Sequence, residues 1–108
     1  MVRALAEADE VFVPSVAIGE LLYGARLSAR AAANVSQVEA FAAATAVLSC
    51  DGETARHYAE AKLRLRAKGR PIPENDLWIA AVALQHDLTL AVRDGHFREI
   101  EGLALAEW

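Results

Sequence analysis

Three carboxylates raise the chemical question, because each is the lone charge in or beside an otherwise apolar segment: Glu20, Asp76 and Asp94. From Val11 to Ala25 the chain carries no charged residue except Glu20. A carboxylate in such surroundings is costly to desolvate unless a cation or hydrogen-bond donors compensate. Asp76 opens an apolar helix and Asp94 follows an apolar strand, the two kinds of place where open α/β sheets gather their ligands. One divalent ion with hard oxygen ligands would serve all three acids at once. Each also has an ordinary reading: Asp76 as a first-turn acid facing the helix dipole, Asp94 as a turn residue before Gly95, Glu20 as a solvent-facing position. Taken singly, those readings are the commoner ones.

The elements that must position these acids follow from composition and periodicity. A chain of 108 residues forms one domain with one core. Its 24 alanines against seven aromatics point to close-packed helices. Val11-Phe12-Val13 reads as a short buried strand closed by Pro14, after a segment Val2–Ala8 that reads as the end of a helix. Ser15 is the expected N-cap of a helix over Val16–Leu27, on which Val16, Glu20, Tyr23 and Leu27 form one stripe. A second Ala-rich helix runs from Ser28 to Ala44, an extended segment spans Ala46–Ser49, and Asp51 caps a helix that reaches Lys68 and stops at Gly69. Asn75 is the expected cap of the helix Leu77–His86, which is apolar all round and therefore central. Thr89–Val92 reads as a parallel-type strand and Leu103–Leu105 as an edge strand. This alternation predicts an α/β fold, a doubly wound parallel sheet flanked by helices.

Several function classes drop out. Cys50 is the only cysteine, which excludes an intrachain disulfide and a cysteine zinc site and fits a reducing cytoplasm. The longest uncharged stretch, Ala40–Cys50, has 11 residues, well short of the roughly 20 needed to cross a membrane. The opening Met-Val-Arg-Ala-Leu-Ala-Glu has no apolar signal-peptide core, so no export is expected. A net charge of −4 argues against bulk attraction to nucleic acid but permits a local basic strip. His57, His86 and His96 lack zinc-ligand spacing, and Tyr23, Trp78 and Phe97 are aromatics of the kind that stack on bases, but at helical positions beside Leu and Ile such residues are more often core.

The runs Val-Pro-Ser-Val-Ala-Ile-Gly-Glu-Leu-Leu-Tyr-Gly-Ala, Pro-Glu-Asn-Asp-Leu-Trp-Ile-Ala-Ala and Arg-Asp-Gly-His-Phe resemble, in this order and at these separations, the second-, third- and fourth-acid motifs of VapC-type PIN-domain ribonucleases. The resemblance extends from about Val11 to Trp108. It implies a PIN-like fold in which Glu20, Asp76 and Asp94 hold Mg²⁺ or Mn²⁺ for hydrolysis of RNA phosphodiester bonds. It also implies an antitoxin protein as partner and a homodimer. Two departures stand out. No Asp-Thr-Asn-like motif ending an apolar strand supplies the family's first acid, and Asp9 is no substitute, so the chain reads as truncated at its N-terminus. Val92 stands where the family usually has Thr or Ser two residues before the last acid. A chain short of one acid is expected to bind metal weakly and turn over poorly, and the rival reading is a catalytically dead PIN-fold module that binds RNA or protein.

Lys62, Arg64, Arg66, Lys68 and Arg70 gather five of the eleven basic residues just ahead of Asp76. They either track an RNA backbone or complement a helix C-terminus at roughly 0.3–1 kcal/mol each. Loss of a strand central to the family's sheet would leave strand edges open, and with the all-apolar Leu77–Leu84 helix needing cover on every side this predicts self-association.

Overall fold

The computed structural model describes residues 12–92 and 95–107. In chain order the elements are β1 (Phe12–Pro14), α1 (Ser15–Leu27), α2 (Ala31–Ala43), β2 (Ala46–Leu48), α3 (Gly52–Lys68), α4 (Glu74–Gln85), β3 (Leu90–Val92), a 3₁₀ turn (Gly95–Glu99) and β4 (Leu105–Glu107). The helix expected over Val2–Ala8, and with it Asp9, lies outside the described residues.

The sequence Leu-Trp-Ile-Ala-Ala-Val-Ala-Leu gives α4 no polar face, and the fold answers by covering it. Ala80, Ala81 and Val82 are fully buried, with Leu77, Ile79 and Ala83 close behind. Consecutive helical residues point in directions about 100° apart, so burial of five in a row, Ile79 to Ala83, means cover on every side. That cover comes from α3, α1 and β1 of the same chain. The expectation that α4 needs a second molecule is therefore corrected: small alanine side chains let neighbouring elements approach closely enough to enclose it.

Helix α3 is built to make that contact. Its start is a capping box, in which the Thr54 amide donates to Asp51 Oδ1 at 3.1 Å and the Asp51 amide donates to Thr54 Oγ1 at 2.9 Å. Thr54 is wholly buried and its hydroxyl also reaches Gln85 of α4, which satisfies the one buried polar side chain among the described residues. Ala61 and Leu65 follow on the same buried face. The helix ends at Gly69, whose φ of 69° is the left-handed conformation that glycine adopts without a Cβ penalty.

Two other caps differ from expectation. Pro14 and Pro73, not Ser15 and Asn75, precede the first residues of α1 and α4, and neither helix has a side-chain cap. Proline fixes its own φ and holds an extended ψ here, so the turn into each helix is set by the backbone and the two polar side chains fall inside the first turn.

The strands pair in parallel, as expected, in two ladders: β1 with β2 in register Val13 to Val47, and β3 with β4 in register Ala91 to Ala106. Among the described residues the ladders do not join. The far edges of β1 and β3 thus keep backbone groups that no described strand pairs. Among the described residues no helix is long and apolar enough to cross a membrane.

Removing the Leu65 side chain should destabilise the protein by about 2–5 kcal/mol, the range for a buried leucine cut to alanine. Gly69→Ala should cost only about 1–2 kcal/mol, the left-handed penalty alone, because nothing lies within 4 Å of where the new Cβ would sit. Urea denaturation reads both as a lower midpoint at unchanged slope.

Candidate active site

The two acids that the described residues place sit on helices that touch. Helix α1 leaves the C-terminal end of β1 and packs against α4. From α4, Asn75 donates its Nδ2 to Glu20 Oε2 at 3.1 Å. This single bond ties the middle of α1 to the first turn of α4, where Asp76 is the next residue and is half-buried. Glu74 and Asp76 both lie in that first turn, where the helix dipole favours negative charge. Asp94, expected to converge with the other two, lies outside the described residues. Among the described residues no three His, Cys, Asp or Glu side chains gather closely enough to hold a metal ion. Glu20 and Asp76 nevertheless offer hard carboxylate oxygens, with no thiolate or imidazole between them, which is donor chemistry suited to Mg²⁺ or Mn²⁺.

Glu20, expected amid apolar neighbours, is exposed, so no buried charge demands compensation. The stripe Val16, Glu20, Tyr23 and Leu27 faces largely outward, with Tyr23 68% and Leu27 69% exposed, while Ala17, Ile18 and Ala25 form the buried face. Tyr23 was expected in the core and is not; Phe97 is buried. Periodicity sets which residues share a face, whereas the choice of inward face belongs to the partner helix.

Beside Asp76 lies a polar cluster that sequence reasoning missed. Glu74 accepts from the Tyr58 hydroxyl and pairs with Lys62 Nζ at 2.9 Å, and Lys62 also donates to Tyr58 at 3.0 Å. The Tyr58 ring stacks on Trp78 with centroids 4.0 Å apart and planes 7° from parallel. The Tyr58 hydroxyl, with the Lys62 ammonium behind it, holds the Glu74 carboxyl below its ordinary range, and the same hydroxyl and carboxylate raise Lys62. The one available signal was helical spacing, which puts Tyr58 and Lys62 one turn apart on α3.

The basic strip divides between two faces. Arg64 pairs with Glu60 at 3.7 Å and Glu101 at 3.3 Å, and Lys68 with Glu99 at 3.6 Å. These point away from α4's first turn. Lys62 is occupied by Glu74. Arg66 and Arg70 are exposed and have no carboxylate partner among the described residues.

Parallel strands and the enclosed α4 define an α/β fold, and the chain belongs to the PIN domain family, whose model matches residues 1–103. Over 105 residues it is 29% identical to ribonuclease VapC2 of Rickettsia felis, covering 96% of this chain and 78% of that protein. It is 30% identical over 97 residues to the tRNA(fMet)-specific endonuclease VapC of Shigella flexneri, covering 89% and 74%. Among solved structures it resembles VapBC-5 of Mycobacterium tuberculosis, a member of the VapBC family of toxin-antitoxin systems, with a TM-score of 0.73, 31% identity, and coverage of 87% and 77%.

The Glu74 cluster predicts a pH dependence. A carboxyl whose folded pKa is lowered contributes stability above its unfolded pKa and loses it as pH falls through the folded one. The stability gap between the protein and Glu74→Gln, followed by urea denaturation from about pH 6 to about pH 3, should be open at the upper end and close at the lower. A gap that stays constant would mean the cluster does not bind the ionised form preferentially.

Proposed function

We propose that the chain is a metal-dependent endoribonuclease, the toxin of a toxin/antitoxin pair, that hydrolyses RNA phosphodiester bonds. The observation that carries this reading is the Glu20 to Asn75 hydrogen bond, which draws the second-acid helix onto the third-acid turn in a chain whose relatives are named ribonucleases. In this reading Glu20, Asp76 and Asp94 hold Mg²⁺ or Mn²⁺. Such an ion, when bound, activates water and neutralises charge on the phosphate. Asn75 holds Glu20 in place, and Arg66 and Arg70 meet the RNA backbone, since Lys62, Arg64 and Lys68 already face carboxylates.

The proposed partners are RNA, an antitoxin and a second copy of the chain. Toxin-antitoxin relatives among solved structures support the antitoxin. Exposed Tyr23 and Leu27 lie on the same helix as Glu20, an apolar strip that a silencing segment would cover. The case for a homodimer rests on exposed Val47 and on α2, none of whose residues is buried. The lone exposed Cys50 suits the cytoplasm as the site of action.

Cleavage of single-stranded RNA in Mg²⁺ should vanish in chelator. Asp76→Asn should lower it by at least roughly 100-fold, the upper end of what losing an outer-shell partner costs a metal site, and Asn75→Ala by roughly 10-fold. Cutting that survives chelation, or survives Asp76→Asn, would sink the metal mechanism. RNA that is bound and never cut would make the chain a binding module of PIN fold.

Light scattering over a dilution series at about 0.15 M salt, where surface ion pairs are screened, should return at least twice the 11.6 kDa chain mass. A folded monomer at roughly micromolar concentration, where even modest interfaces hold, would remove the dimer from the proposal.

A further inference from the structure

A cavity of about 270 Å³ lies between the C-terminal half of α3 and the loop that leads into α4. Its walls are apolar: Leu65 from α3, Pro71 and Ile72 from the loop, and Leu77 from α4. Its rim is polar, formed by Lys62, Arg66 and Glu74. We propose that this cavity is a nucleobase subsite, holding one unpaired base of single-stranded RNA beside the cut bond while Arg66 contacts the adjoining phosphate. The proposal rests on the ribonuclease reading and adds to it where the substrate lies.

Charge decides what the cavity can take. At the rim, Glu74 is answered by Lys62 and the Tyr58 hydroxyl, so those two charges cancel locally. Arg66 has no carboxylate partner among the described residues and is exposed, which leaves the rim with one uncompensated cation. A planar guanidinium with several donors suits a phosphate better than a point charge does. Apolar walls under an anion-seeking rim fit a ligand that is flat and apolar at one end and anionic at the other, and a nucleotide with its base splayed out is such a ligand. Its volume lies below the roughly 300–1,000 Å³ of sites for drug-sized ligands, which suits one ring system and not a larger group.

Position supports the same assignment. Glu74 on the rim and Leu77 in the wall flank Asp76 in the chain, so the cavity adjoins the turn that carries the third acid. A second cavity, of about 240 Å³, opens at another part of α3 and is lined by Glu60, Glu99 and Glu101, with Arg64 already paired to two of them. Its surplus of carboxylates would repel a phosphate backbone. Of the two, the cavity at Arg66 is the one with charge complementary to RNA.

The test uses the full chain and a short fluorescein-labelled single-stranded RNA, with binding read by anisotropy and cutting by gel on the same samples. Arg66→Ala should weaken binding about 10-fold and reduce the slope of log affinity against log salt by roughly one. Arg64→Ala, on the acidic side, should change affinity by less than about twofold, as an already neutralised charge. Scanning an abasic nucleotide along the RNA should reveal one position where losing the base weakens binding roughly 10-fold, within the range known for single bases on protein surfaces. Pro71→Trp, a substitution at an exposed loop residue that fills the cavity mouth, should erase that position dependence while circular dichroism stays unchanged. Metal-dependent cutting with no effect of Arg66→Ala and no sensitive abasic position would overturn the subsite and leave the ribonuclease reading standing. Binding with both signatures but no cutting would do the reverse. RNA that is neither bound nor cut would overturn both.

Discussion

Enclosure of α4 is the constraint on which everything else depends. A helix that must bury a leucine, an isoleucine, a valine and three alanines spread around its circumference draws α1, α3 and β1 onto it. Alanine makes this feasible in two ways. It surrenders no side-chain entropy on burial, and its small radius brings helix axes close, which improves dispersion contact along the whole interface. The same close approach brings Glu20 of α1 and the first turn of α4 within one hydrogen bond of each other.

Polarity is concentrated where enclosure ends. The first turn of α4 carries Glu74, Asn75 and Asp76 in succession, and each meets a different neighbour or role: Glu74 the Tyr58 and Lys62 pair on α3, Asn75 the Glu20 carboxylate on α1, and Asp76 the helix N-terminus itself. Acids here are exposed or half-exposed and not deeply buried. None of them therefore bears the cost of a deeply buried charge.

Charge on α3 follows the same logic of neighbours. Five basic residues that look like one strip in the sequence emerge on two faces, because successive helical positions diverge by about 100°. One face sets Arg64 and Lys68 against three carboxylates, Glu60, Glu99 and Glu101; the other borders the first turn of α4 and keeps Arg66 uncompensated. Net charge per segment would have missed the distinction.

Much was already determined by the sequence. The span of α3, its Asp51 cap and its Gly69 stop are local chemistry, settled by hydrogen bonds within four residues and by glycine's freedom at positive φ. The central place of α4 followed from its having no polar side, and parallel pairing from the alternation of strands and helices. Three things were decided only in three dimensions. The outward turn of Glu20, Tyr23 and Leu27 depends on which face of α1 meets α4, and periodicity treats both faces alike. Asn75 became a tether to Glu20 and not a cap because Pro73 fixed the helix entry by its backbone, leaving that amide free to reach across 55 residues of chain. And α4 found its cover within one molecule, because enclosure depends on how closely neighbouring elements can approach, a property of packed surfaces that no single segment encodes.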